Sequence, residues 1–239
     1  MTQTSHNNFD LSIRFIPDGF YLFISDNQHL VSTKKIQAEF ANFSETQIID
    51  TLSKEPELQM VFKSVRLIYE TNQYTFVPSE FFTPESANDY LRFQHSRLGK
   101  NQTVLYNNLE PWDAVNLFSM PDNLNHVLNN FLPEIPVEHH LTVLLTDRIV
   151  MQTGKMLHLQ IRNNETDYIV LHDSKLLLVN TFEVSSVDDT VYHALNIATQ
   201  LGLSTDECKV TVHGQENLNP YLELLTKYFN NCNFSELNY

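Results

Sequence analysis

One order of elements occurs twice along this chain, and it constrains the fold more than any single motif. Three strand-like segments are followed by a helix, a strand, a second helix and a final strand. The first copy covers about residues 10–120 and the second about residues 155–239. Because strands that alternate with helices form a sheet covered by helices, this order predicts an α/β protein.

Hairpins mark the beginning of both copies. In the first copy, Pro17-Asp18-Gly19 separates the apolar runs "LSIRFI" and "FYLFIS". In the second copy, the strand "KMLHLQI" is followed by the turn "RNNETD", and the polar residues 172–175 then separate "YIVL" from "LLLV". Short polar turns between apolar runs are typical of antiparallel strands, so each copy is predicted to open with a three-strand meander.

Helix signals divide the chain into two lobes. Ser44 with Gln47, and Ser186 with Asp189, have the spacing of helix N-caps. The apolar positions of residues 136–152 have a helical period, and Gly154 follows them. The sequence therefore predicts an N-terminal lobe of residues 1–132 and a C-terminal lobe of residues 133–239, which begins with a connecting helix.

This element order resembles that of a ribonuclease-H-like unit, and two such units in one chain resemble the actin-like ATPase superfold of sugar kinases, heat-shock chaperones and actins. The segment "KLLLVNTFEVSSVDDTVYHALNIATQLGL" is also similar to a signature of an uncharacterised bacterial family, that of domain of unknown function 3822. "YTFVPSEFF" and "VHGQ" look like two further segments of the same family. The signature positions in this chain are Lys175, Asn180, Thr181, Phe182, Asp189, Tyr192, Gln200 and Leu201.

The superfold resemblance implies an ATP site between the lobes, with magnesium and with hairpin backbones that contact phosphate. Phosphate-binding turns contain glycine because the backbone must approach the ligand closely. The turn "IPDGF" has one glycine, and Pro17 lacks an N–H group. The turn "IRNNETDY" has no glycine, and it contains two acids. The positions that a nucleotide would contact are Asp18, Gly19, His213, Gly214 and Gln215.

Composition and the remaining motifs exclude several classes of protein. All five glycines stand alone, which excludes the Walker loop and the dinucleotide-binding fingerprint. A net charge of −14 disfavours binding to nucleic acids and anionic membranes, and no apolar run is long enough for a membrane span. The two cysteines, which have no metal or redox spacing, and the polar N-terminus predict a cytoplasmic protein.

Other polar clusters give no catalytic constellation. In Glu138-His139-His140, adjacent side chains diverge around a helix, so one histidine is expected to be packed and the other solvated. No metal site and no catalytic group are predicted. Asn180 is expected to link its strand to a neighbouring loop, because a polar group within an apolar strand needs a partner.

Three functions remain open at this stage. The first is a non-enzymatic protein of actin-like fold that acts through contacts with a protein partner and binds no cofactor. The alternative is a nucleotide-binding ATPase or kinase-like protein with unusual loops, which would bind ATP and magnesium. A binder of another small molecule would have a deep apolar pocket, which the sequence does not locate.

Overall fold

The computed structural model describes residues 6–27, 29–149, 153–215 and 217–236, and the chain forms two compact units, residues 1–149 and residues 150–238. The strands of the first unit are β1 (His6–Ile16), β2 (Gly19–Asp26), β3 (His29–Gln37), β4 (Phe62–Tyr69), β5 (Tyr74–Pro78), β6 (Gln102–Leu109), β7 (Ala114–Pro121) and β8 (Val137–His139). Its α-helices are α1 (Glu45–Ser53), α2 (Ala87–Gln94), α3 (Asp122–Phe131) and α4 (His140–Val143). The second unit contains β9 (Lys155–Ile161), β10 (Glu165–His172), β11 (Lys175–Glu183), α5 (Val187–Gln200), β12 (Lys209–Gly214), α6 (Asn219–Leu225) and β13 (Asn231–Glu236).

Sheet A of the first unit has the strand order β3-β2-β1-β4-β8. The meander β1–β3 is antiparallel, and β4 and β8 add in parallel. The predicted first hairpin is confirmed, because Ile16 pairs with Gly19 across the two-residue turn Pro17-Asp18. The carboxyl ends of β1, β4 and β8 therefore lie along one edge of sheet A.

Aromatic side chains form the centre of the first unit. Phe15, Phe20 and Phe40 are buried, and their ring centroids lie 5.6–5.7 Å apart. Burial of each such ring stabilises the folded state by roughly 1.5–3 kcal/mol. Helix α1 begins with the predicted capping box, in which the hydroxyl of Ser44 accepts a hydrogen bond from the backbone N–H of Gln47.

A second sheet and helix α2 lie between β4 and β8 in the chain. Sheet B is antiparallel, with the order β5-β7-β6, and its central strand β7 is buried throughout. Strand β6 was not predicted, because its sequence "QTVLYNNL" has two asparagines near its end and alternates weakly. Helix α2 buries Ala87 and Leu91.

The predicted helix over residues 136–152 is wrong at its start, where the chain forms a strand. Residues 137–139 form β8, which pairs with β4, and a short helix (α4) and a π-helical turn follow over residues 140–148. The start of the segment thus pairs with the open edge of β4. Residues 150–152 lie outside the described residues. The units divide after residue 149, whereas the sequence suggested a boundary after residue 132.

Both histidines of this segment are buried, so the expectation that one of them is solvated is wrong. Nδ1 of His139 accepts a hydrogen bond from the amide of Asn116 at 2.9 Å, and its Nε2 donates to the backbone oxygen of Thr71 at 3.0 Å. His140 is fully buried beside it, with ring centroids 4.3 Å apart. These side chains therefore hold β8 against its neighbours.

Sheet C of the second unit has the order β11-β10-β9-β12-β13, in which the third strand of the meander is at one edge and the last strand at the other. This is the strand order of sheet A, so the prediction of an α/β protein with a three-strand meander in each half is confirmed. The hairpin turn between β10 and β11 is Asp173-Ser174, and both residues have positive φ.

Helices α5 and α6 cover one face of sheet C. The apolar side chains of this layer include Leu157, Tyr168, Val210, Ala194 and Leu225. Helix α5 begins at the predicted cap, where the hydroxyl of Ser186 accepts from the N–H of Asp189, and Ser185 donates back to the Asp189 carboxylate. No helix within the described ranges has the length and apolar character needed to cross a bilayer.

Candidate functional site

Asp18 and Gly19 follow β1 at the carboxyl edge of sheet A, the side of an open α/β sheet where ligands commonly bind. The carboxylate of Asp18 accepts a hydrogen bond from Nζ of Lys35 on β3 at 3.0 Å. This bond is the main reason that the pKa of Lys35 is raised. The backbone oxygen of Asp18 accepts from the N–H of Ala38 at 3.1 Å. The carboxylate and the backbone oxygen of Asp18 thus both accept hydrogen bonds from the segment of β3 and the residue after it.

Gly19 has a packing reason to be glycine. A Cβ atom at this position would lie 1.9 Å from the backbone oxygen of Ile36 on β3, and the φ of Gly19 is +150°. No side chain fits such a distance. The close approach of β2 and β3 therefore explains the residue without any ligand.

A buried ion pair lies at the same edge of sheet A. Nε and Nη2 of Arg14 donate to one carboxylate oxygen of Glu70 at 3.0 and 2.5 Å. Both side chains are more than nine-tenths buried. One signal was visible in the sequence, a cation inside the apolar run of β1, but its partner is 56 residues away in the chain. The guanidinium of Arg14 is neutralised within its own sheet.

His213 lies at the end of β12, at the carboxyl edge of sheet C. It is 2% exposed, and its Nε2 lies 3.0 Å from Nδ1 of His158 on β9, with the two rings stacked. Burial, with a smaller contribution from Lys209, lowers the pKa of His158 to about 4. His158 is therefore neutral at pH 7, and His213 contacts the neighbouring strand.

Gly214 and Gln215 continue from β12. A Cβ on Gly214 would lie 2.7 Å from Cδ2 of Leu218 and 3.6 Å from Cβ of Ile161. Gly214 is buried, and an alanine at this position would require the Leu218 side chain to move. Gln215 is exposed. Among the five candidate residues, it is the one side chain that is exposed and makes no hydrogen bond within the described part of the chain.

The loop Arg162–Glu165 carries the charges at this edge of sheet C. Nε and Nη2 of Arg162 donate to the two carboxylate oxygens of Asp167 at 2.8 and 2.9 Å, and Nη1 lies 2.6 Å from the carboxylate of Glu165. Thr181 donates its hydroxyl hydrogen to Asp167 at 2.6 Å. The side chain of Asp167 is fully buried, and that of Arg162 is 3% exposed. This network was not predicted.

Asn180 does not have the role that was expected of it. Its side chain is exposed, and its amide oxygen accepts a hydrogen bond from the backbone N–H of Thr181, the next residue. The polar link between β11 and β10 is made by the neighbouring Thr181 instead. The alternation of the strand directs Thr181 inward and Asn180 outward.

These contacts limit what the two edges can do chemically. Each buried arginine already contacts a carboxylate, and the N–H of Arg162 donates to the backbone oxygen of Glu165 inside its own turn. Pro17 supplies no N–H group. Residues 6–27, 29–149, 153–215 and 217–236 contain no group of three or more metal-ligating side chains. The arrangement therefore holds strands together and offers few free donors to an anion.

Sequence comparison finds one family. The model of the family described as "Protein of unknown function (DUF3822)" matches residues 1–232, which is nearly the whole chain. No curated protein sequence is detectably similar to the chain.

Solved structures show the fold. A protein from Bacteroides thetaiotaomicron VPI-5482, described as having an actin-like ATPase fold and unknown function, is 21% identical with a TM-score of 0.80, over 98% of this chain and 93% of that one. A PilM–PilN type IV pilus biogenesis complex matches with 14% identity and a TM-score of 0.53, over 95% and 88%. The ethanolamine utilization protein EutJ from Carboxydothermus hydrogenoformans matches with 9% identity and a TM-score of 0.50, over 98% and 88%. The chain has the actin-like ATPase fold.

Proposed function

Because the chain belongs to the DUF3822 family, whose function is not known, we propose a function from the chemistry of the two sheet edges. The protein is a non-enzymatic member of the actin-like ATPase fold that acts by binding a protein partner. It neither binds nor hydrolyses ATP at physiological concentrations.

The observation that carries this proposal is the pairing of the buried arginines. Arg162 donates hydrogen bonds to both carboxylate oxygens of Asp167, and Arg14 donates to the carboxylate of Glu70. A phosphate that replaced either carboxylate would form one charge-assisted pair and break another. The displaced carboxylate would remain buried without its partner, at a cost of roughly 3–5 kcal/mol. A contact to phosphate stabilises by only about 1.5–3 kcal/mol, so the exchange is unfavourable.

The turns add no compensating donors. Loop Arg162–Glu165 has no glycine, and at its edge the carboxylates of Glu165 and Asp167 face the single cation of Arg162. Without a metal ion, this excess of negative charge repels a triphosphate at the edge of sheet C. Gly19 is explained by the neighbouring backbone of Ile36.

Two features support a role in protein binding. The first unit exposes three large aromatic side chains near sheet B, namely Phe81 (61%), Phe93 (92%) and Tyr106 (43%). Aromatic residues are enriched in protein interfaces. One structure of the same fold is a PilM–PilN complex, which indicates that this fold can serve as a binding platform.

The cysteines support a location in the cytoplasm. Cys208 and Cys232 are free thiols, and burial is the main reason that the pKa of Cys208 is raised to about 11. A protonated, buried thiol is unreactive. Such unpaired cysteines are usual in reducing compartments.

A thermal-shift titration with Mg·ATP tests the proposal against the nucleotide-binding alternative. A site with a dissociation constant of about 1 mM would stabilise the protein by about 1.4 kcal/mol at about 10 mM nucleotide. This corresponds to a rise in Tm of roughly 3–6 °C for a chain of this size. Magnesium tripolyphosphate at the same ionic strength is the matched control for non-specific anion effects.

We expect no saturable rise in Tm with either compound. A saturable rise with Mg·ATP that tripolyphosphate does not reproduce would reject the proposal in favour of nucleotide binding. Substitution of Gln215 by alanine would then show whether the site lies at the edge of sheet C.

A further inference from the structure

The C-terminal end of α2 and the loop after it carry three exposed cations and an exposed aromatic ring. Arg92, Phe93, Arg97 and Lys100 are all exposed, and we call them the α2 basic surface. Phe93 is 92% exposed, the highest value among the large hydrophobic side chains that the structure exposes. Helix α2 directs Leu91 into the core, and Phe93, two residues later, points roughly 200° away from it. The fold gains nothing from this phenylalanine.

The charge of this segment is opposite to that of the chain. Residues 90–109 contain the three cations Arg92, Arg97 and Lys100 and no acid. The rest of the chain has 15 − 3 = 12 basic and 29 acidic residues, a net charge of −17. A positive segment beside an exposed ring therefore stands out from an acidic protein.

The three cations have no partner within the described residues. Other lysines and arginines of the first unit do pair, as Lys35 does with Asp18 and Lys34 with Glu55. Within residues 6–27, 29–149, 153–215 and 217–236, no ion pair involves Arg92, Arg97 or Lys100. Asp89, the acidic residue one helical turn before Phe93, forms no ion pair within these residues either. A ligand need not displace any internal contact to reach these cations.

We propose that the α2 basic surface binds an acidic segment of a partner protein that also carries a large apolar side chain. The apolar side chain packs on Phe93, and the carboxylates contact the three cations. Such a site has an aromatic centre and a charged rim, as protein interfaces commonly have. This inference rests on the proposed function and adds the chemistry of the partner.

A protein segment fits the charge distribution better than a nucleic acid or a membrane does. Screening limits interactions between exposed charges to about 10 Å in ordinary buffers. The three cations lie within residues 92–100, so a short acidic segment can reach them without extending over the rest of the chain. A long polyanion or an anionic bilayer extends further over a chain that is otherwise acidic, and it is repelled.

Selection of short random peptides displayed on phage, with the full chain as bait, tests the inference. We expect enriched peptides to combine several acidic residues with one large apolar residue. The tightest peptide is then labelled with a fluorophore, and its dissociation constant is measured for the wild type and three variants. These are Phe93→Ser, the double variant Arg92→Ser and Arg97→Ser, and the control Tyr192→Ser, which removes another exposed aromatic (65%) from the second unit.

We expect Phe93→Ser to weaken binding by at least about tenfold. The double arginine variant should weaken it several-fold and reduce its salt dependence, because exposed charge pairs contribute little each and are screened by salt. Tyr192→Ser should change the constant by less than about twofold. All these side chains are exposed, so the variants fold.

The inference fails if no peptides are enriched, if those enriched are not acidic, or if Phe93→Ser binds as tightly as the wild type. It also fails if the chain binds phosphatidylserine vesicles or single-stranded RNA through Phe93 more tightly than it binds the peptide. Acidic or other peptides that bind independently of Phe93 would overturn the inference but leave the proposed function in place. Saturable stabilisation by Mg·ATP would overturn the proposed function alone.

Discussion

Replacing Asp167 by asparagine removes the charge that neutralises Arg162 in sheet C. The carboxylate accepts two hydrogen bonds from the guanidinium and one from Thr181, and it is fully buried. An asparagine amide presents N–H donors where the guanidinium also donates. Loss of one partner from a buried ion pair costs about 3–5 kcal/mol. Glu165 still contacts Arg162, so we expect the lower end, a loss of about 3 kcal/mol in the free energy of unfolding.

Amide hydrogen exchange of β9 and β10 measures this loss directly. Fluorescence of Trp112 does not, because the only tryptophan lies in the first unit. A loss of about 3 kcal/mol should accelerate the slowest exchange of these strands by about 150-fold. The matched control is Asp188→Asn, which changes an exposed aspartate in the first turn of α5 and should cost only a few tenths of a kcal/mol. Equal exchange in both variants would refute the assignment of Asp167 as the essential partner of Arg162.

Two further predictions concern Gly19 and His158. Gly19→Ala should lower the free energy of unfolding, measured by urea denaturation, by more than about 2 kcal/mol, because the new Cβ would overlap a backbone oxygen. In the control Gly99→Ala the nearest atom is 3.4 Å away in a flexible side chain, so the free energy of unfolding should stay within about 1 kcal/mol of the wild type. Similar effects for the two variants would contradict a packing role for Gly19. The pKa of His158 falls to about 4 in the folded protein from about 6.5 when unfolded, so the unfolded chain binds more protons between these values and acid destabilises the fold. Between pH 7 and pH 5 this histidine should account for a loss of about 2 kcal/mol in the free energy of unfolding. His158→Gln should abolish this pH-dependent loss, whereas His172→Gln, which changes an exposed histidine, should leave it in place. An unchanged pH dependence in His158→Gln would show that another group is responsible.

Local sequence signals predicted the parts of the fold that depend on neighbouring residues. Short polar turns, polar caps such as Ser44 and Ser186, and apolar runs all act over a few positions, and the structure confirms the meanders and helix starts that they indicated. The edge strand expected after residue 230 is also present as β13. These elements could be predicted because their cause lies within the same short stretch of chain.

Elements that depend on distant partners were missed. Residues 137–139 precede a segment of helical apolar period and were assigned to the same helix, yet they pair with β4, about 70 positions earlier in the chain. The ion pair of Arg14 and Glu70, and the contact of Thr181 with Asp167, likewise depend on strand register. The sequence indicated that the turns were poor in glycine, but it did not indicate that the nearby cations were already neutralised.

The central claim is that the buried arginines at the sheet edges are held by carboxylates and are not available to a triphosphate. The most direct test of this claim is nuclear magnetic resonance of the arginine Nε–H groups while Mg·ATP is added to the full chain. The signal of Arg162 is assigned by its absence from the spectrum of the Arg162→Lys variant. We expect the signals of Arg14 and Arg162 to remain unshifted up to about 10 mM nucleotide. A saturable shift of either signal would contradict the account.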